Sequence, residues 1–268
     1  SLTEVAGRLA QAALAAKSAQ GAGAPRHLEL EAAFYRLRLF NHSLVLFILS
    51  FIVIAISWMA PGNRWLRGGG WVLTAAAVVT LAAGITLRCI IRGRPPITTL
   101  YDTTLFVPAV AVALGLAVEL LSRRGLALAV SSALGCVGMF LANRYELRDG
   151  TDTMEQMRAV LDSNFWLATH VTTITIGYSA ALLAGALAHV YILGRLAGAA
   201  PRRADFYKSL SAMIYGVVCF AMFFAFIGTV LGGIWANESW GRFWGWDPKE
   251  NGALLLILWL LIILHARL

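Results

Sequence analysis

Four tryptophans, Trp235, Trp240, Trp244 and Trp246, fall within twelve residues of the stretch W-A-N-E-S-W-G-R-F-W-G-W-D-P-K-E-N, together with Phe243. Glu238, Arg242, Asp247, Lys249 and Glu250 lie among and just after them, and an Asp-Pro pair closes the group. An indole ring offers a wide apolar face and one N–H donor, which suits a membrane–water boundary. A simple interfacial belt needs tryptophan but no particular spacing. This density beside so many charges suits a platform for a flat macrocycle with an apolar body and anionic edge groups. Tryptophan faces would stack on the body, and Arg242 or Lys249 would pair with propionates, arginine in bidentate fashion. Trp235, Trp240, Arg242, Phe243, Trp244, Trp246, Asp247 and Lys249 are therefore the candidate binding residues.

The histidines supply candidate metal ligands. His170, in L-D-S-N-F-W-L-A-T-H, stands six residues after Asn164 in an apolar run, about 9 Å below its outer end at about 1.5 Å per residue. A histidine within a span is costly without a partner and marks a candidate site. Neutral imidazole is a common metal ligand, and a proximal histidine is a usual haem-iron ligand. A core histidine bonded to Thr169 or Thr173 is the competing reading. His265 lies about 20 Å down the last apolar run, too deep to reach a group at the outer surface, so any metal it holds belongs to a second site. His189 is about 28 Å from His170 on the same run. It and His42, at the mouth of the first span, read first as interfacial side chains and only second as ligands.

The elements that must carry these residues are membrane helices. Of 268 residues, 59% are hydrophobic and 13% charged, and the mean hydropathy is +0.71. Soluble domains carry roughly 25% charged residues. Several apolar runs of about twenty residues give an all-α, polytopic transmembrane bundle, and a β-barrel is excluded because the runs do not alternate. The net charge of +8 is no nucleic-acid signal, since most arginines sit between spans. Cys89, Cys136 and Cys219 form no CxxC pair and read as buried hydrophobes. No signal peptide is visible in residues 1–40, and the initial Ser reads as the mark of a fragment or processed product.

Residues 1–42 read as a short surface helix, a Gly/Ala/Pro tether and an interfacial helix, and residues 43–268 as the membrane domain. Seven spans are expected, near Ser43–Ala60, Trp71–Ile91, Thr104–Leu121, Leu126–Ala142, Phe165–Gly194, Leu210–Ile234 and Gly252–Leu268. Arg195, Arg202, Arg203 and Lys208 argue that their loop is cytoplasmic, which puts the Trp-rich stretch and the 143–164 loop outside. Arg92 and Arg94 then also lie outside, where meeting carboxylates would give them a role. In R-P-P-I-T-T-L-Y-D-T-T-L-F, Pro95-Pro96 breaks a helix, Thr98 or Thr99 caps the next, and Tyr101 and Asp102 sit at its mouth.

The Trp-rich run followed by L-H-A-R resembles the WWD domain of the cytochrome c assembly proteins, in the system II branch called CcsA or ResC. R-P-P-I-T-T-L-Y-D-T is similar to that branch's N-L-Y-E-S stretch. L-D-S-N-F-W-L-A-T-H-V, followed by G-Y-S-A-A, resembles the stretch carrying its first external haem-ligand histidine. The likeness runs from about residue 94 to the end. It implies a haem handling protein of the bacterial inner (plasma) membrane, with the Trp-rich loop, residues 235–251, facing the periplasm. His170 becomes the first external ligand and His265 the membrane ligand. The second external histidine would follow one further span, beyond Leu268, unless His42 substitutes. The partner of the membrane site would be a CcsB/ResB-type protein, possibly fused, and Asn251 stands where many members have Thr. The implied activity is holocytochrome c synthesis, a haem lyase reaction: haem b is presented at the WWD surface to the CxxCH thiols of apocytochrome c. A haem exporter and a haem-bearing electron-transfer subunit are the alternatives. The first is disfavoured by the few polar residues in spans one, three and four. The second needs paired ligands on facing helices and no exposed Trp loop.

Overall fold

The structure is a computed structural model, and it describes residues 7, 11, 12, 24–60, 62–149, 163–198 and 204–266. The surface helix and tether expected over 1–26 lie almost entirely outside the described residues. Eight helices follow: α1 (Ala24–Leu37), α2 (Leu39–Met59), α3 (Arg64–Arg92), α4 (Leu100–Ser122), α5 (Leu126–Asp149), α6 (Asn164–Leu196), α7 (Ala204–Trp240) and α8 (Pro248–His265). Among the described residues seven segments are long and apolar enough to cross a membrane, the first running Glu29–Met59 across α1 and α2. The expected all-α polytopic bundle and its seven spans are what the chain forms.

Local chemistry sets the boundaries. Arg38 adopts a left-handed backbone (φ 42°) that separates α1 from α2. The Asn63 side chain accepts the amides of Trp65 and Leu66 and so starts α3. Thr99 caps α4 in a reciprocal box with Asp102. Glu119, near the end of α4, accepts from the Gly125 amide at 2.5 Å and the Leu128 amide at 3.4 Å, satisfying amides at the buried start of α5.

Two large packing groups, with a small third one around Ile54 and Leu128, make the bundle. Phe47, Leu81, Leu105 and Met139 join α2, α3, α4 and α5 in one core. Between them Ser50 Oγ lies 2.6 Å from Thr74 Oγ1 and 3.1 Å from Ser132 Oγ, hydrogen bonds that pin helices lacking any water to compete. Leu183, Leu187, Leu210, Val218 and Leu260 join α6, α7 and α8, and Ala111 of α4 enters the same core, so α4 is the seam. Neighbouring helices run antiparallel. This brings the start of α6, the end of α7, the start of α8, the end of α3 and the start of α4 to one end. Contacts there include Trp166 with Glu238 and Asn164 with Gly93.

Two boundaries differ from expectation. Helix α7 has 37 residues, about 55 Å at 1.5 Å per residue, far more than a bilayer core of about 30 Å. It therefore continues through Trp240, and only Gly241–Asp247 is a turn. Helix α5 continues to Asp149, into the stretch expected to be a polar loop; residues 150–162 of that loop lie outside the described residues. Both extensions leave the apolar zone, where helix formation no longer depends on hydropathy.

Candidate functional site

The common end holds a cavity of about 820 Å³ between α4, α6, α7 and α8. Small-molecule sites span roughly 300–1,000 Å³. His170, Trp235, Trp240, Phe243, Trp244, Asp247 and Lys249 all line it, with Thr98, Thr99 and Leu100 on the α4 side. Residues 135 positions apart in sequence, from Thr98 to Gly233, thus share one wall.

His170 sits in a π-helical turn, Leu167–Val171, between the two α-helical parts of α6. Such a turn inserts an extra residue and re-aims the side chain, and it is frequent at functional sites. Its Nδ1 is 2.7 Å from the Gly228 carbonyl oxygen. A carbonyl only accepts, so Nδ1 carries the proton and the neutral ring keeps its lone pair on Nε2. This is the tautomer a metal-ligating histidine needs, with its orientation fixed from behind. The Thr169 hydroxyl bonds to Phe165 instead, which removes one competing partner for the imidazole.

Glycines of α7 make room for this arrangement. A Cβ on Gly228 would lie 2.6 Å from Ile174 Cα, so the helices touch backbone to backbone there. A Cβ on Gly232 would lie 2.5 Å from His170 Cε1, and one on Gly233 would lie 2.6 Å from Phe243 Cζ. Gly228 and Gly232 form a G-x-x-x-G face that admits close approach, while Gly233 seats the ring that closes the cavity from above. The pattern was legible in the sequence as G-T-V-L-G, but its partner helix was not.

The aromatic wall is braced from outside the cavity. Trp166 stacks on Trp235, with centroids 6.3 Å apart and planes 13° from parallel. Its Nε1 donates to Glu238 Oε2 at 2.9 Å. Trp235 in turn lies 5.8 Å from the His170 ring. Trp166 and Glu238 were missed in the sequence because nothing marks two residues 72 positions apart as partners.

The D-P-K-E segment carries a capping-box signal, Asp followed three residues later by Glu. Asp247 caps α8 by accepting the Lys249 and Glu250 amides at 2.8 and 2.9 Å. Glu250 accepts from the Gly245 and Asp247 amides at 2.7 and 3.1 Å. The Glu250 N–H held against Asp247 keeps that carboxyl below the usual carboxylate range. Arg242 lies 3.4 Å from Glu250 and fills the space beside Gly245. Trp246 has a left-handed backbone (φ 57°), and its carbonyl accepts from Asn251 Nδ2 at 3.0 Å. Arg242 and Trp246 do not line the cavity. Trp246 packs edge-on against Trp244 and faces a smaller cleft between α7 and α8.

The remaining histidines stand apart. His42 is exposed on α2, with Nδ1 near the Leu37 and Arg38 carbonyls, and is no part of the cavity wall. His189 and His265 are exposed toward the opposite end, and each Nδ1 bonds the carbonyl one turn earlier in its own helix. Among the described residues no three His, Cys, Asp or Glu side chains cluster as a metal site.

The sequence model of the family described as cytochrome C assembly protein matches residues 97–268, from the cavity's α4 wall through α8. The chain belongs to that family. Protein NrfI of Wolinella succinogenes is 32% identical over 206 residues, 74% of this chain and 21% of its own length. The cytochrome c biogenesis protein CcsA of Chlamydomonas reinhardtii is 40% identical over 110 residues, 40% of this chain and 31% of its own length. CcsA of Synechococcus sp. (strain CC9902) is 26% identical over 250 residues, covering 83% of this chain and 81% of its own. This chain thus spans about a fifth of NrfI and about a third of the algal relative. Every side chain of the cavity wall lies inside the matched region.

Proposed function

We propose that this chain binds haem b in the cavity beneath the Trp-rich turn and presents it to apocytochrome c for covalent attachment. The observation that carries this reading is His170. Its Nδ1 is engaged by Gly228, so the Nε2 lone pair is left for iron inside a wall that includes Tyr178, Trp235, Trp240, Phe243 and Trp244. Trp235, Trp240, Phe243 and Trp244 suit the faces of a porphyrin, and Lys249 at the rim suits a propionate. Arg242 and Trp246 act one step back, by shaping the turn that carries Phe243 and Trp244, while Asp247 lines the cavity and caps α8.

Haem is the substrate here. The bond to be made is a thioether, in which each CxxCH sulfur bonds to a vinyl carbon and the thiol hydrogen goes to the neighbouring carbon. This chain's part is to hold the ring by one face and edge and to keep water from it. His265 is assigned to a second, membrane-embedded haem site completed by a CcsB/ResB-type partner, with His189 as its weaker counterpart, and His42 is the weaker candidate on the external side.

We place the cavity on the periplasmic side of the bacterial inner membrane. Arg64, Arg67, Arg123, Arg124, Arg195 and Lys208 mark the opposite end as cytoplasmic. Arg92 and Arg94 run against this bias; Arg92 is paired with Asp102 at 2.8 Å, a carboxylate partner of the kind that gives an outward arginine a role. The deciding experiment is purification of the full-length protein in detergent, followed by its haem absorbance, with His170→Ala and Trp244→Ala in parallel. Loss of haem in both is expected. Undiminished haem with normal c-type cytochrome maturation in both would sink the assignment.

A further inference from the structure

We infer that Asp102 is a positioning residue of the haem cavity: together with Arg88 and Arg92 it clamps the Thr98–Thr99 wall in place. This rests on the haem reading of the cavity above. Asp102 is 2% exposed, and Arg88 beside it is 4% exposed. Asp102 Oδ1 accepts from Arg88 Nε at 3.2 Å and Nη2 at 2.8 Å. Oδ2 accepts from Arg92 Nη1 at 2.8 Å, the Thr98 hydroxyl at 2.6 Å, and the Thr98 and Thr99 amides at 3.2 and 3.1 Å. One carboxylate thus gathers donors from the last turns of α3 and from the linker that enters α4.

Capping alone does not account for this. A capping box requires one bond from Asp102 to the Thr99 amide, and a neutral side chain can accept it. Burying an ion pair in a membrane helix is costly, and replacing the whole pair by well-packed apolar residues is often neutral for stability. Polar groups placed there at such cost tend to be functional. What the cluster holds is Thr98 and Thr99, and both line the cavity that His170 enters from the other side. The wall has a second tether at its other end, where Asn164 Nδ2, at the start of α6, donates to the Gly93 carbonyl at 3.4 Å. The linker from Gly93 to Thr99 is therefore fastened at both ends, to the ligand-bearing helix and to Asp102. The α2–α5 half of the bundle, which brings no histidine to the cavity, sets the distance of its far wall. Second-layer residues that orient a metal site typically matter by roughly 10–100-fold.

The test uses the full-length protein carrying haem, in detergent. Asp102→Asn keeps an acceptor for the Thr98 and Thr99 amides but discharges the clamp. Asp102→Glu restores the carboxylate, and His170→Ala reports on the underlying site. Expected for Asp102→Asn is haem retention lowered roughly 10-fold and faster cyanide binding to what remains, with partial recovery in Asp102→Glu. A wild-type haem content and cyanide rate in a well-folded Asp102→Asn would overturn the clamp, while retention of haem in His170→Ala would overturn the site itself. If Asp102→Asn does not fold, Asn164→Ala removes the other tether from an exposed position. It too should speed cyanide binding, and an unchanged rate there counts against the clamp.

Discussion

His170 Nδ1 lies 2.7 Å from the carbonyl oxygen of Gly228, on the neighbouring helix α7. That carbonyl is reachable only because Gly228 has no side chain and its helix touches Ile174 backbone to backbone. One glycine therefore sets both the spacing of α6 and α7 and the tautomer of the candidate ligand.

Gly232→Ala separates those two effects. The added methyl would lie 2.5 Å from His170 Cε1, so the ring must turn away. Overpacking of this kind costs about 1–3 kcal/mol. The expected outcome is a protein that still purifies as a single species but has lost most of its haem absorbance. Gly228→Ala meets backbone rather than a side chain, and its expected effect is the larger fall in thermal stability.

Trp166→Phe keeps the ring against Trp235 but removes the Nε1 donor to Glu238. Glu238 is exposed, so water replaces the lost donor and the penalty of a buried unpaired acceptor does not apply. Thermal melts should show a modest loss. The haem spectrum should shift more in Trp166→Leu, which also removes the stack that steadies Trp235.

Glu119→Ala tests the opposite end. Glu119 is 2% exposed and accepts the first amides of α5. Without it those donors have no water to turn to, at a cost of about 1–3 kcal/mol. Lower thermal stability is expected, with the haem content per folded molecule unchanged.

The Asp247 cap predicts a pH dependence. Its carboxyl is held below the ordinary carboxylate range, chiefly by the Glu250 N–H. A lowered native value means the cap's contribution is complete above the unfolded-state pKa and is lost as pH falls through the native one. Melting temperatures of wild type and Asp247→Asn should therefore converge with acidification below the normal carboxylate range. A constant difference at all pH values would show that the ionised cap contributes nothing.

Orientation is open to chemical labelling. With the native cysteines replaced, a cysteine at Trp246 should react with a membrane-impermeant maleimide in intact cells. One at Arg124 should react only after lysis.

The hydropathy of the chain determined the helices, because a segment of some twenty apolar residues in lipid must satisfy its own backbone. Residue types also marked the Trp-rich run, His170, and the Thr-capped start of α4. The run's apolar–polar composition did not reveal that Trp235 and Trp240 are helical, since α7 leaves the apolar zone before it ends. Only tertiary packing decided which residues meet. Arg88 and Asp102 pair because α3 and α4 fold back on each other. His170 finds Gly228, and Trp166 finds Glu238, because two glycine-lined helices approach closely. Local sequence fixes what a side chain can do; the antiparallel return of helices tens of residues away decides what it does it to.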